Sequence, residues 1–167
     1  MGTTLFDVVR SHPDVIGHIQ KSVYNTLKIY ARAEIVPKPH FFRSNAEGSE
    51  ITVIGMLDLT QDGKTSVLSI GFSDAVFVNV YENMFQEKLT EISLETADLA
   101  GELINIIFQT IDPVLADLGL RFQASLPRVI ALSNLDEWVR TSTNQSLVLP
   151  FSTGYGDIYF EVFESEG

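Results

Sequence analysis

Between Pro13 and about Ala33, the apolar residues Val15, Ile16, Ile19, Val23, Leu27 and Tyr30 recur at intervals of three and four. That is the period of a helix with one buried stripe, and it predicts a first long helix. Pro37-Lys38-Pro39 ends it and opens an extended segment through Phe41 and Phe42. Proline has no N–H to donate and drives the residue before it out of helical geometry, so a strand at a sheet edge is expected. Strand-type residues from Ile51 to Thr60 and from Thr65 to Phe72 flank Gln61-Asp62-Gly63-Lys64. Asp-Gly supplies the positive φ that a tight hairpin needs. Ser73-Asp74 then reads as a cap for a short apolar helix containing Ala75, Val76, Val78, Val80, Met84 and Phe85.

The second half repeats this order. A long helix is expected from about Ser93 to Leu118 and a strand from Arg121 to Ile130, then strands Leu147 to Phe151 and Ile158 to Phe163 around Gly154-Tyr155-Gly156-Asp157. Helix, strand, hairpin thus occurs twice. The fold class is α+β: duplicated helix-strand-hairpin units forming an antiparallel sheet packed with two long helices. The whole chain, 1–167, is expected to be one domain. Asn134 to Asn144 is expected as a surface loop, with Trp138 packing back over the domain.

Composition narrows the chemistry. The chain carries 22 acidic and 11 basic residues, a formal charge of −11. That charge repels phosphate backbones and anionic lipid, which argues against nucleic-acid and membrane partners and favours a partner with a basic or metal-bearing face. Cysteine is absent, which removes disulfides, thiolate catalysis and cysteine-ligated zinc. The N-terminal Met-Gly-Thr-Thr-Leu-Phe-Asp has no basic segment leading into an apolar run, so a cytoplasmic location is expected. His12, His18 and His40 have neither the spacing nor the carboxylates of a metal triad, and no Gly-x-Ser-x-Gly presents a nucleophile.

The second long helix has an apolar set, Leu94, Ala97, Leu103, Ile104, Ile107, Ile111, Val114, Leu115 and Leu118, that defines a broad buried face. Its other face carries Glu95, Asp98, Glu102, Asn105, Gln109 and Asp112 at steps of three and four, with no lysine or arginine among them. Neighbours along such a line stand about 5–6 Å apart at Cβ. The same pattern also describes the solvent side of any core helix. Two residues are unusual for that role: Gly101, which costs about 1 kcal/mol against alanine in mid-helix, and Asn105, where lysine or glutamine are better helix formers. A glycine there permits close approach by another surface.

Asp98-x3-Glu102-x2-Asn105, with Pro127 following 22 positions after the asparagine, resembles the signature of the CheC/CheX/FliY phosphatases. Gly101-Glu102-Leu103-Ile104-Asn105-Ile106-Ile107, Ser125-Leu126-Pro127-Arg128-Val129-Ile130 and Leu149-Pro150-Phe151-Ser152-Thr153-Gly154-Tyr155-Gly156-Asp157-Ile158-Tyr159-Phe160-Glu161-Val162 resemble the CheX branch, in order. The resemblance implies a CheC-like domain that hydrolyses the aspartyl phosphate of a CheY-like receiver. It further implies that Asn105 positions the attacking water and Glu102 pairs with the regulator's active-site lysine. Asp98 and Gln109 are then candidate partner contacts. No cofactor is expected in this chain, since magnesium belongs to the receiver's pocket. Family members form homodimers, so a homodimer is expected.

Two features depart from the family pattern. Phe108 and Gln109 stand where small residues are common, which predicts altered docking. Ser22-Val23-Tyr24-Asn25 in the first helix lacks the glutamate of a second Glu-x2-Asn, which predicts one working site and makes Asn25 a surface or capping residue. The competing reading is a non-catalytic receiver-binding module or a structural homodimeric signalling module, and a phosphate-release assay separates it from a phosphatase.

Overall fold

In a computed structural model, residues 3–43, 51–131 and 145–164 are described. The first hairpin forms where its turn chemistry put it. β3 (Val53–Gln61) and β4 (Lys64–Phe72) pair from Val53↔Phe72 to Gln61↔Lys64, and Asp62 (φ 51°) and Gly63 (φ 78°) make the two-residue turn. Their alternation is the register of a sheet with two unlike faces. Val53, Leu57 and Leu59 on β3 and Leu68, Ile70 and Phe72 on β4 join the large core, whereas Ile54, Met56 and Val67 form a smaller cluster behind.

The predicted repeat is present, and its halves are intertwined. The first unit contains α2 (Pro13–Tyr30) and the short edge strands β1 (Val36–Pro37) and β2 (Phe41–Arg43), followed by the β3–β4 hairpin. The second contains α4 (Leu94–Asp117), β5 (Gln123–Ala124) and β6 (Arg128–Ala131), and the hairpin of β7 (Ser146–Thr153) with β8 (Gly156–Glu164). The sheet runs β1-β7-β8-β4-β3-β5, with β2 also on β7 and β6 also on β3. Each unit's short strands therefore complete the other unit's hairpin. At the centre, β4 pairs with β8 from Ser66↔Glu164 to Gly71↔Tyr159. α2 and α4 pack against each other, and the sheet face beneath α4 shares one core with both.

Two details differ from the sequence reading. Leu5–Ser11 forms a helix, α1, that the apolar spacing did not reveal; Thr4 caps it, accepting from the Asp7 N–H while the Asp7 carboxylate accepts from the Thr4 N–H. The strand expected over Arg121 to Ile130 is two strands, because Leu126-Pro127 interrupts the ladder and proline cannot donate to β3. The short helix α3 (Asp74–Phe85) does start at the Ser73 cap and stops at Gln86 in the left-handed region. Trp138 and the loop around it lie outside the described residues.

Behind the sheet, Arg43 on β2 reaches across β7 to Glu161 on β8. One guanidinium nitrogen contacts both carboxylate oxygens at 2.7 and 2.8 Å, and the Ser146 hydroxyl donates to the same carboxylate at 3.0 Å. Burial pushes the Glu161 carboxyl above its ordinary value, with Arg43 and Ser146 pulling it back down.

Candidate functional site

α4 begins with a reciprocal cap. The Ser93 hydroxyl accepts from the Thr96 N–H, and the Thr96 hydroxyl accepts from the Ser93 N–H. Its rotation about its axis is set by backbone contact with the sheet. A Cβ on Gly55 of β3 would lie 2.2 Å from the Ala100 carbonyl oxygen, so the helix backbone rests directly on a strand that has no side chain there. Gly101 makes the second close contact: a Cβ there would stand 3.1 Å from Val129 and 3.3 Å from Pro127. The close approach that Gly101 permits is thus made by the protein's own β5–β6 segment.

With α4 seated this way, Ala97, Ala100, Leu103, Ile104, Ile107, Ile111 and Leu115 are buried. Glu95, Asp98, Glu102 and Gln109 are exposed, and Asn105 and Asp112 are half-buried. At 3.6 residues per turn, Asp98, Glu102, Asn105 and Gln109 fall within one narrow outward strip. Among the described residues, the side chains of Glu102 and Asn105 have no hydrogen-bond or ion-pair partner. A carboxylate and a carboxamide one turn apart are thereby free to meet groups of another molecule.

The strip has a distinct flank on each side. On the Asn105 side, the loop between β5 and β6 is pinned to β3. The Ser125 N–H donates to the Asp58 carbonyl (2.9 Å), the Asp58 N–H donates to the Ser125 hydroxyl (3.0 Å), and Arg128 pairs with the Asp58 carboxylate at 2.8 Å. Pro127 lies over Gly101, which leaves Leu126 standing out into solvent. On the opposite side, Tyr81 and Phe85 of α3 face Glu95, Thr96, Asp98, Leu99 and Glu102 across a shallow cleft of about 180 Å³. Larger depressions, about 410 Å³ beside Arg10, Phe42 and Arg43 and about 490 Å³ beside Lys28, Ile35 and Val36, lie along the β1, β2 and β7 edge away from the strip.

The structure alters several sequence assignments on this helix. Leu94 is 70% exposed and Leu118 47% exposed, at the first position and the C-cap of α4; neither belongs to the buried face. Phe108 is buried in the core, on the flank of α4 that also carries Gly101, so little of its bulk reaches solvent. Gln109 does project. On α2, Asn25 is exposed and Ser22 half-buried. The cleft and the contact at Gly55 were missed in the sequence, although a lone glycine inside a strand pattern is a signal of close backbone approach. α4 has the length and hydropathy of a membrane-crossing helix, but here its apolar face is buried in the fold and its outer face carries Glu95, Asp98, Glu102 and Asp112. No group of three potential metal ligands occurs among the described residues.

The sequence profile of the family described as chemotaxis phosphatase CheX matches residues 53–152, more than half of the chain. The chain belongs to the CheX family. The matched span contains the strip, both of its flanks and the β3 strand that seats α4. No curated protein sequence matches the chain. Among solved structures, the CheX fold is shared with a CheC-like superfamily protein from Shewanella sp. PV-4, 27% identical, covering 92% of this chain and 98% of that one with a TM-score of 0.73. It is shared too with the chemotaxis protein CheX from Vibrio vulnificus, 20% identical, covering 91% and 99% with a TM-score of 0.72. A third similar structure is the CheX–CheY–BeF3–Mg complex from Borrelia burgdorferi, 16% identical, covering 91% and 98% with a TM-score of 0.70.

Proposed function

We propose that this CheX-family protein dephosphorylates the aspartyl phosphate of a CheY-like receiver domain, with Asn105 and Glu102 entering the receiver's phosphorylated pocket. The observation that carries the reading is the outward, unpartnered pair on adjacent turns of a helix held rigidly to its sheet. In this reading the receiver supplies the magnesium ion and a lysine, and this chain supplies no cofactor. The carboxamide oxygen of Asn105 accepts a hydrogen bond from water, and its NH₂ donates to a phosphoryl oxygen. The water oxygen bonds to phosphorus as the phosphorus–oxygen bond to the aspartate breaks, leaving a carboxylate and inorganic phosphate; the water's proton leaves with the phosphate or to solvent. Such a loose transition state needs alignment of the nucleophile more than a strong base, which is why a neutral carboxamide suffices. Glu102 pairs with the receiver lysine and fixes the helix over the pocket. Asp98 and Gln109 extend the contact along the strip. Of the two residues that suggested altered docking, Phe108 is buried and only Gln109 projects, which supports phosphatase chemistry over a binding-only module. A cytoplasmic location and a homodimer complete the reading.

The test is phosphate release from purified CheY-like receivers charged with acetyl phosphate. Asn105→Ala should lower the accelerated rate by about 10²-fold or more while leaving the thermal midpoint unchanged, since a positioned group of this kind contributes on that scale. Equal phosphate loss with the wild type and the variant would remove Asn105 from the chemistry.

A further inference from the structure

Three large apolar side chains stand in solvent around the Glu102–Asn105 pair. Leu126, 86% exposed, flanks it on the Asn105 side; Phe85, 47% exposed, faces Glu102 across the cleft; Leu94, 70% exposed, lies one turn before Asp98. Each is attached to a rigid part of the fold. Leu126 is held between Ser125, bonded twice to Asp58, and Pro127, packed over Gly101. Phe85 leans on Tyr81 with ring centroids 4.7 Å apart, and Tyr81 in turn lies beside the buried Phe77. Leu94 is the first residue of α4, just after its reciprocal cap.

Exposed apolar groups contribute little to folding, and isolated ones need no explanation. These three lie along or beside one strip, whose Glu102 and Asn105 have no hydrogen-bond or ion-pair partner among the described residues. Their backbones are anchored, so a partner covering them has only side-chain rotamers left to order on binding. Covering them would shut water away from the pair between them, which strengthens every charge interaction made there. The strip itself carries only carboxylates and amides, complementary to a cationic pocket.

We infer that Leu126, Phe85 and Leu94 form an apolar collar that seats on the receiver surface surrounding the phosphorylated pocket and selects which receiver is accepted. The inference rests on the phosphatase reading above and assigns docking to residues outside the reacting pair. Its test is phosphate release as a function of receiver concentration, over a panel of acetyl-phosphate-charged receivers, for wild type, Leu126→Ser, Phe85→Ser and Asn105→Ala. Binding of beryllofluoride-loaded receivers is measured alongside. Each serine variant should raise KM and weaken binding by roughly tenfold, the scale of one uncovered large apolar side chain. Its kcat should fall far less, and the order of preference among receivers should change. Asn105→Ala should show the opposite split, with kcat lost and binding kept.

If both serine variants keep wild-type KM and binding, the collar is wrong and the phosphatase reading stands. A fall in kcat with KM unchanged also overturns the collar, because it places these residues in the chemical step. A wild-type protein that neither binds nor dephosphorylates any receiver ends both proposals. Unchanged circular dichroism and thermal midpoints, expected for changes at exposed sites, exclude loss of folding as the cause.

Discussion

Glu102 and Asn105 occupy neighbouring turns of one strip, but in the proposed reaction their contributions differ in kind. A carboxamide acts only when its two hydrogen bonds are aligned, whereas a carboxylate also acts at a distance through its charge. Glu102→Gln, which keeps the shape and removes the charge, should therefore slow association with a phosphorylated receiver and make the rate less sensitive to ionic strength. The wild-type rate should fall more steeply as salt is raised, because exposed charges are screened beyond about 10 Å at 0.1 M. Stopped-flow measurement at several salt concentrations checks this, and identical salt slopes would deny Glu102 a charge role.

α4 is positioned by what is missing from the strand beneath it. Gly55 has no room for a side chain, since its Cβ would meet the backbone of Ala100 at 2.2 Å, and backbone cannot move without carrying the helix along. Gly55→Ala should destabilise the protein by about 2–3 kcal/mol or more and reduce activity together, because it lifts the strip away from the Leu126 loop. Gly101→Ala is the contrasting case. There the new methyl meets side chains of Val129 and Pro127 at 3.1 and 3.3 Å, and the strain is offset by about 1 kcal/mol of helix propensity. Chemical denaturation of the two variants should separate them clearly. The sequence marked Gly101 as a place of close approach but not by what, because the residues it meets come from a loop and strand more than twenty positions later.

At the scale of the whole molecule, the sheet depends on strands exchanged between its two halves, and Arg43 ties one such edge to the centre through Glu161. Arg43→Met would leave a buried carboxylate unpaired, at a cost of about 3–5 kcal/mol near neutral pH. Glu161 already has its folded-state pKa raised by burial. Protonation therefore favours the fold, and the stability tied to this group is full below the unfolded pKa and lost as pH rises through the folded one. Removing Arg43 takes away an influence that holds the pKa down, so the deficit of the variant should shrink as pH falls from 7 towards about 5. Urea denaturation at both pH values tests it, and a deficit independent of pH would show that Glu161 does not take up the proton.

What the chain's own pattern determined was local and periodic. The α2 and α4 stripes, the Asp62-Gly63 turn, the Ser73 cap and the polar line from Glu95 to Asp112 follow from residue spacing, because helix and hairpin geometry are set by neighbours a few positions apart. The twofold order of elements was visible for the same reason. Tertiary structure alone decided that each half's short strands pair with the other half's hairpin, that Phe108 turns inward while Leu94 turns out, and that Leu126 and Phe85 close in on the strip from either side. Those outcomes depend on contacts between segments tens of residues apart, where a helix's rotation is fixed by a gap such as Gly55 and no repeat in the sequence encodes the distance.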